Sequence, residues 1–151
     1  MTSSYLVFLL SGRLFGMKLM GAIEILPWRP SRPVPLAHRY VEGLIDYRGT
    51  VYPVFNLGQR LGINSPGPIG FTAEETTRTG GGRSIILLEE NRRPFGVVVD
   101  AVVRMTKLED PALGEVSGSL PDIDPGYLKG IVSENDQDIL ILDFERLLHV
   151  G

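Results

Sequence analysis

Short runs of alternating apolar and polar residues, broken every few positions by glycine, proline or a charged pair, extend along this chain. Such alternation predicts half-buried β-strands, and no stretch keeps a helical period beyond a turn or two. Residues 5–10 and 15–20 flank Ser11-Gly12-Arg13 and predict a hairpin in which Phe15, Met17 and Leu19 share one face. Residues 22–26 continue extended or as a short helical turn before Pro27. Four prolines between positions 27 and 35 predict an ordered loop poor in backbone hydrogen bonds, because proline has no N–H to donate. Trp28, within that loop, reads as a plug over a barrel mouth in preference to a binding hot spot. Residues 43–47 and 51–55 predict a second hairpin. Its Arg48-Gly49 tip suits a type II turn that pushes Arg48 outward, and Pro53 predicts a sheet-edge strand. Residues 57–61 read as one helical turn.

The segment 64–82 is polar, rich in glycine and proline and without apolar period, which predicts a linker or loop. Beyond it the pattern restarts. Residues 84–90 and 95–100 predict a hairpin extended by 101–105; residues 130–133 and 139–142 predict another, and 144–148 a terminal turn. The two halves correspond in detail. An offset of 80 matches Ser4 with Ser84, Arg13 with Arg93, Phe15 with Phe95 and Gly16 with Gly96; an offset of 87 matches Tyr40 with Tyr127, Gly43 with Gly130 and Leu61 with Leu148, and sets Asn56 against Asp143. This is an internal duplication of about 65 residues. It predicts a mostly β fold of two pseudo-repeated small barrels of about five strands each, spanning about 1–64 and about 83–151 and joined by 65–82. Exchange of terminal strands between them is left open.

Composition sharpens the function more than the fold. The 18 glycines and 11 prolines make about a fifth of the chain, against roughly 12% in ordinary domains. There is no cysteine, which excludes disulfides, zinc–cysteine sites and cysteine nucleophiles. No basic-flanked apolar run is long enough for a signal peptide or a bilayer span, so the expected location is the cytoplasm. The net charge of −3 argues against a dedicated nucleic-acid binder. Residues 1–64 carry seven basic and three acidic side chains, residues 83–151 seven and thirteen. That asymmetry suits weak head-to-tail self-association, two different partners, or simple attraction between the lobes.

Catalytic constellations are missing from the sequence. His38 and His149 lack a second ligand at metal spacing, no serine occupies a nucleophile elbow, and Gly80–Gly82 lack the Lys-Ser or Lys-Thr of a phosphate loop. Asp122 and Asp124 suggest a paired-carboxylate site, with a polar turn as the simpler reading. No catalytic residue, cofactor or metal is expected. The residues that break the duplication are more informative: Gly43 recurs as Gly130 and so serves the backbone, whereas Arg48-Gly49 is matched by Asn135-Asp136. Arg48 is either an ordinary solvated turn residue or a binding contact, and binding is the favoured reading. Beside it, Val51, Pro53 and Phe55 offer a docking face.

Two blocks in the first half, YLVFLLSGRLFGMKLMGAIEIL (5–26) and YVEGLIDYRGTVYPVFNLGQRLG (40–62), resemble the CheW family of chemotaxis coupling proteins. So do SIILLEENRRPFGVVVDAVVRM (84–105) and YLKGIVSENDQDILILDFERLL (127–148) in the second. The most specific piece is the glycine–apolar–Arg-Gly–apolar–Pro segment from Gly43 to Leu57. The resemblance implies two SH3-like barrels about a shared core. It implies a non-enzymatic scaffold joining the cytoplasmic tips of chemoreceptors to the regulatory domain of the histidine kinase CheA. Membrane association would then come only through partners. By that resemblance the receptor-facing residues are Ala22, Glu24, Gly43, Arg48 and Gly49, and a kinase face includes Val51 and Phe55. The chain departs from the family at Asp46-Tyr47, at Asn56 where aspartate is usual, and in the longer 64–82 segment. These departures leave open an adaptor of a gliding or pilus pathway, and less strongly an SH3- or OB-like peptide or nucleic-acid binding module.

Overall fold

The computed structural model describes residues 1–19, 24–37, 40–63, 83–90, 92–110 and 123–148. The first half supplies β1 (Thr2–Leu10), β2 (Arg13–Lys18), β3 (Glu24–Pro27), β4 (Val41–Tyr47), β5 (Thr50–Asn56) and α1 (Leu57–Leu61). The second supplies β6 (Ser84–Glu90), β7 (Arg93–Val99), β8 (Ala101–Glu109), β9 (Leu128–Glu134), β10 (Gln137–Leu142) and α2 (Phe144–Leu148). They build two five-stranded sheets, ordered β8-β1-β2-β10-β9 and β3-β6-β7-β5-β4. The mostly β class with five strands per sheet is borne out.

Each sheet draws on both halves of the chain. The β1–β2 hairpin joins β8–β10, and the β6–β7 hairpin joins β3–β5. The joints are parallel: Leu14, Phe15 and Gly16 of β2 face Ile139, Leu140 and Ile141 of β10. In the other sheet Val54, Phe55 and Asn56 of β5 face Gly96, Val97 and Val98 of β7. The duplication offsets convert one joint into the other, Gly16–Ile141 into Gly96–Val54. A β-carbon at Gly16 would lie 2.9 Å from Ile141 Cδ1, and one at Gly96 3.0 Å from Leu87 Cδ2. These glycines recur because branched side chains fill the space above them.

Strands buried on both faces organise the interior. Leu6 and Phe8 of β1, with Phe15, point into a core shared by the sheets, where they join Ile86, Phe95 and Val97. Tyr5 and Val7, on the opposite face of β1, enter a second cluster with Ile139 and Ile141. Ile85 and Leu87 do the same in the other sheet with Ile45 and Val54. Fully burying one such side chain contributes about 1.5–3 kcal/mol. Arg60 of α1 ties the halves together. Its guanidinium lies 5.1 Å from the Tyr40 ring and 4.9 Å from the Tyr127 ring and donates to the Tyr127 hydroxyl at 2.7 Å and the Leu147 carbonyl at 2.8 Å.

Three local expectations are corrected. Arg48 and Gly49 have φ of 50° and 82°, so the turn is type I′, not type II; its backbone twist matches that of a two-residue hairpin. Pro53 lies in β5, an interior strand between β7 and β4. The β5–β7 ladder covers only Val54–Asn56, so Pro53 falls where the strand has one neighbour and its missing N–H is harmless. Residues 101–105 do not extend the β7 hairpin. After Asp100 the chain crosses to the other sheet, where β8 pairs antiparallel with β1.

Candidate functional site: a charged clasp closing one sheet

In the β3-β6-β7-β5-β4 sheet the outermost strands are β3 and β4, yet the chain between them joins both edges. The Trp28 N–H donates to the Arg83 carbonyl at 3.0 Å, prolonging the β3–β6 ladder. Four residues on, Arg32 and Leu44 exchange both backbone hydrogen bonds at 2.8 Å, covering the outer edge of β4. The sheet therefore curls until its edges meet. Half-buried Trp28 packs beneath this strap against the cluster of Ile45, Val54 and Leu87, as a plug does. The Arg83 guanidinium covers its ring at 4.7 Å.

Gly43 makes the strap possible. Its φ is +156°, and a β-carbon there would lie 2.2 Å from the Arg32 carbonyl oxygen and 2.7 Å from Ser31 Oγ. Gly49 differs: with φ +82° it has nothing within 4 Å of a β-carbon, so only its backbone conformation calls for glycine.

The strap and the β4–β5 turn gather a set of charges. Arg48 lies 5.1 Å from the centre of the Tyr47 ring and its Nη1 is 3.5 Å from Glu24 Oε1. Arg29 donates to the Asp46 carbonyl at 2.8 Å and stands 6.0 Å from the same ring. Arg32 Nη2 is 3.1 Å from Asp46 Oδ2. Glu24 opens β3 and Arg48 tips the β4–β5 hairpin, so their contact joins opposite edges of one sheet.

The other sheet has a counterpart with the charges reversed. Arg104 on β8, 80 residues beyond Glu24, pairs with Glu134 at the end of β9, 87 residues beyond Tyr47. Their side chains are only 34% and 24% exposed, against 75% and 46% for Arg48 and Glu24. One clasp is a tight latch; its counterpart is loose and faces solvent.

Of the residues expected to face a receptor, Glu24 and Arg48 are brought together, Gly49 shapes their turn, and Gly43 lies behind the strap on β4. Ala22 lies outside the described residues, as do Asp122, His38, His149 and the 64–82 segment. Val51 is 45% exposed just past the turn. Phe55 is half-buried, its ring 6.2 Å from Tyr40 and 6.3 Å from Phe95. About 13 Å of strand separates the two. Arg29, Arg32 and Tyr47 join the site beyond the expected residues; for the arginines the sequence signal is their spacing of three in a proline loop.

Little here points to catalysis. Asp124 accepts from the Gly126 N–H at 2.8 Å and so shapes the 3-10 turn Pro125–Tyr127. Among the described residues no group of histidine, aspartate or glutamate could hold a metal, and no helix is long and apolar enough to cross a membrane.

Two sheets, each drawn from both halves of the chain, present a solvent-facing charged clasp. Comparison with known proteins identifies the class. A family model described as a CheW-like domain matches residues 4–150. The chain is 26% identical over 140 residues to chemotaxis protein CheW of Treponema pallidum, covering 93% of this chain and 78% of that protein. It is 27% identical over 133 residues to chemotaxis protein CheW of Rhizobium meliloti, covering 88% and 79%. The crystal structure of the scaffolding protein TtCheW from Thermoanaerobacter tengcongensis superposes with a TM-score of 0.80 at 25% identity, covering 100% of this chain and 90% of that one. The chain belongs to the CheW-like family of non-enzymatic chemotaxis scaffolds.

Proposed function

We propose that this scaffold couples the cytoplasmic tips of chemoreceptors to the regulatory domain of the histidine kinase CheA in signalling arrays. The observation that carries the reading is the meeting of Glu24 and Arg48 at an exposed sheet closure. These are two of the positions at which the family resemblance puts receptor contacts. Membership of the CheW-like family over residues 4–150 supports both partners. The receptor docks on Glu24, Arg48 and Gly49, with Gly43 holding the strap in place behind them. The kinase domain docks on a face that includes Val51 and Phe55. Association with membrane-bound arrays runs through these partners.

The test is titration of labelled protein with a soluble receptor cytoplasmic hairpin and, separately, with the CheA regulatory domain. Binding of both is expected, and binding of neither overturns the proposal. Arg48→Glu is expected to abolish receptor binding and leave kinase binding intact. Unchanged receptor binding by that variant removes the site assignment.

A further inference from the structure

We propose that Arg29, Arg32 and Arg48, gathered around Tyr47, form a carboxylate-recognition surface, and that Arg29 and Arg32 select partner segments bearing acidic residues. The inference rests on the receptor-docking reading above and adds the chemistry of the docked segment.

Folding does not account for this cluster. The Arg32 and Arg48 side chains are 63% and 75% exposed, and their partners Asp46 and Glu24 are 62% and 46% exposed. Ion pairs that open to water contribute about 0–1 kcal/mol. Arg48 also sits at φ 50°, a left-handed conformation that asparagine and glycine take easily and arginine does not. The matching turn of the second half has Asn135-Asp136 there, at φ 52° and 62°. Arg92, at the β6–β7 turn, takes φ 64° as well, so the gathering of charges, and not the turn conformation, sets Arg48 apart.

The donors are available. Arg29 and Arg32 engage Asp46, and Arg48 engages Glu24, each through one nitrogen. A guanidinium has five N–H donors in a planar fork that grips a carboxylate by two hydrogen bonds. Three cations face two carboxylates, leaving the cluster positive. A nucleic-acid backbone would meet a chain of net charge −3, whereas a protein segment with a few placed acids meets only the local surplus. Tyr47, half-buried between Arg29 and Arg48, holds their planes by cation–π contact. Asp46 competes internally for the same donors.

The experiment uses the full chain and three probes. These are a receptor cytoplasmic hairpin with glutamates flanking its tip, the same hairpin with those residues as glutamine, and an unrelated acidic helical peptide. The acidic hairpin is expected to bind about tenfold tighter than the neutral one in low salt, an advantage that shrinks as salt rises. Arg29→Gln/Arg32→Gln should remove that advantage and leave binding of the CheA regulatory domain unchanged. Asp46→Asn, which releases Arg32, should tighten the acidic hairpin about two- to threefold, a gain that misfolding cannot mimic. Equal binding of the two hairpins, or an unaltered advantage in the double variant, overturns the inference alone. Arginine-dependent binding of the unrelated peptide without either hairpin supports carboxylate recognition and overturns the receptor reading. Binding of no probe overturns both.

Discussion

The carbonyl oxygen of Arg32 lies 2.2 Å from the point that a β-carbon on Gly43 would occupy. No side chain tolerates that approach, so Gly43 is fixed by the strap that crosses it. The strap in turn carries Arg29 and Arg32 to the clasp. The glycine behind the strap thus decides where the charges stand.

Replacing Gly43 by alanine must displace the strap and break the paired hydrogen bonds between Arg32 and Leu44. The expected loss is about 2–3 kcal/mol, at the upper end for single substitutions because the backbone strap itself must move. Gly49→Ala meets open space and should lose only about 1 kcal/mol, from its left-handed backbone. Urea unfolding of the two variants compares them directly; equal losses would contradict the steric account.

Arg48→Asn should separate binding from stability. Asparagine suits the type I′ turn, and the exposed pair with Glu24 adds little, so the variant should gain about 0.5–1 kcal/mol. Receptor binding should fall at the same time. A thermal melt and a hairpin titration on the same sample check both; a destabilised variant would show that the Arg48–Glu24 pair outweighs the strain.

Much of the fold was legible because duplication writes the same geometry twice. Asn56 and Asp143, aligned by the offset of 87, both cap a short helix: Asn56 Oδ1 accepts from Gln59 N–H at 3.0 Å and Asp143 Oδ1 from Arg146 N–H at 3.3 Å. The asparagine also donates to Glu42 Oε1 at 3.0 Å, where an aspartate would place two carboxylates together. The departure at Asn56 thus has a local cause and says little about partners. Harder to read were the parallel joints, since Leu14 pairing with Ile139 leaves no local mark on either strand. The type I′ turn was missed because arginine breaks the usual residue preference. The clasp was only half visible, since its strap residues approach Arg48 through folding and not through sequence spacing.

The two ion-pair clasps should differ in strength. Arg104 and Glu134 are largely shielded from water, whereas Arg48 and Glu24 are open to it. Double-mutant cycles should return a coupling of about 1 kcal/mol or more for the first pair and below about 0.3 kcal/mol for the second. Equal couplings would mean that the exposed clasp also holds its sheet shut, leaving it less free to exchange partners.

The acid sensitivity of the fold should trace to Asp110. Its carboxylate accepts from the Tyr5 hydroxyl at 2.7 Å and Ser3 Oγ at 3.0 Å, with Lys18 Nζ at 3.6 Å. The Tyr5 and Ser3 hydrogen bonds, then the charges of Lys18 and the N-terminal amine, hold it below the usual carboxylate range. A lowered folded-state value means that this stabilisation is complete above the unfolded-state pKa of about 3.9 and fades as pH falls through the lower folded value. Tyr5 behaves oppositely. Burial, and then its hydrogen bond to Asp110, push the phenol above its ordinary range. Its contribution is therefore intact below about pH 10 and is lost only in strong alkali. Asp110→Asn removes the charge, so wild type should be more stable than the variant at neutral pH, with the gap closing as the solution is acidified below about pH 4. Urea midpoints of both proteins from neutral pH into acid measure that gap, and one that stays constant would show that ionised Asp110 does not stabilise the fold.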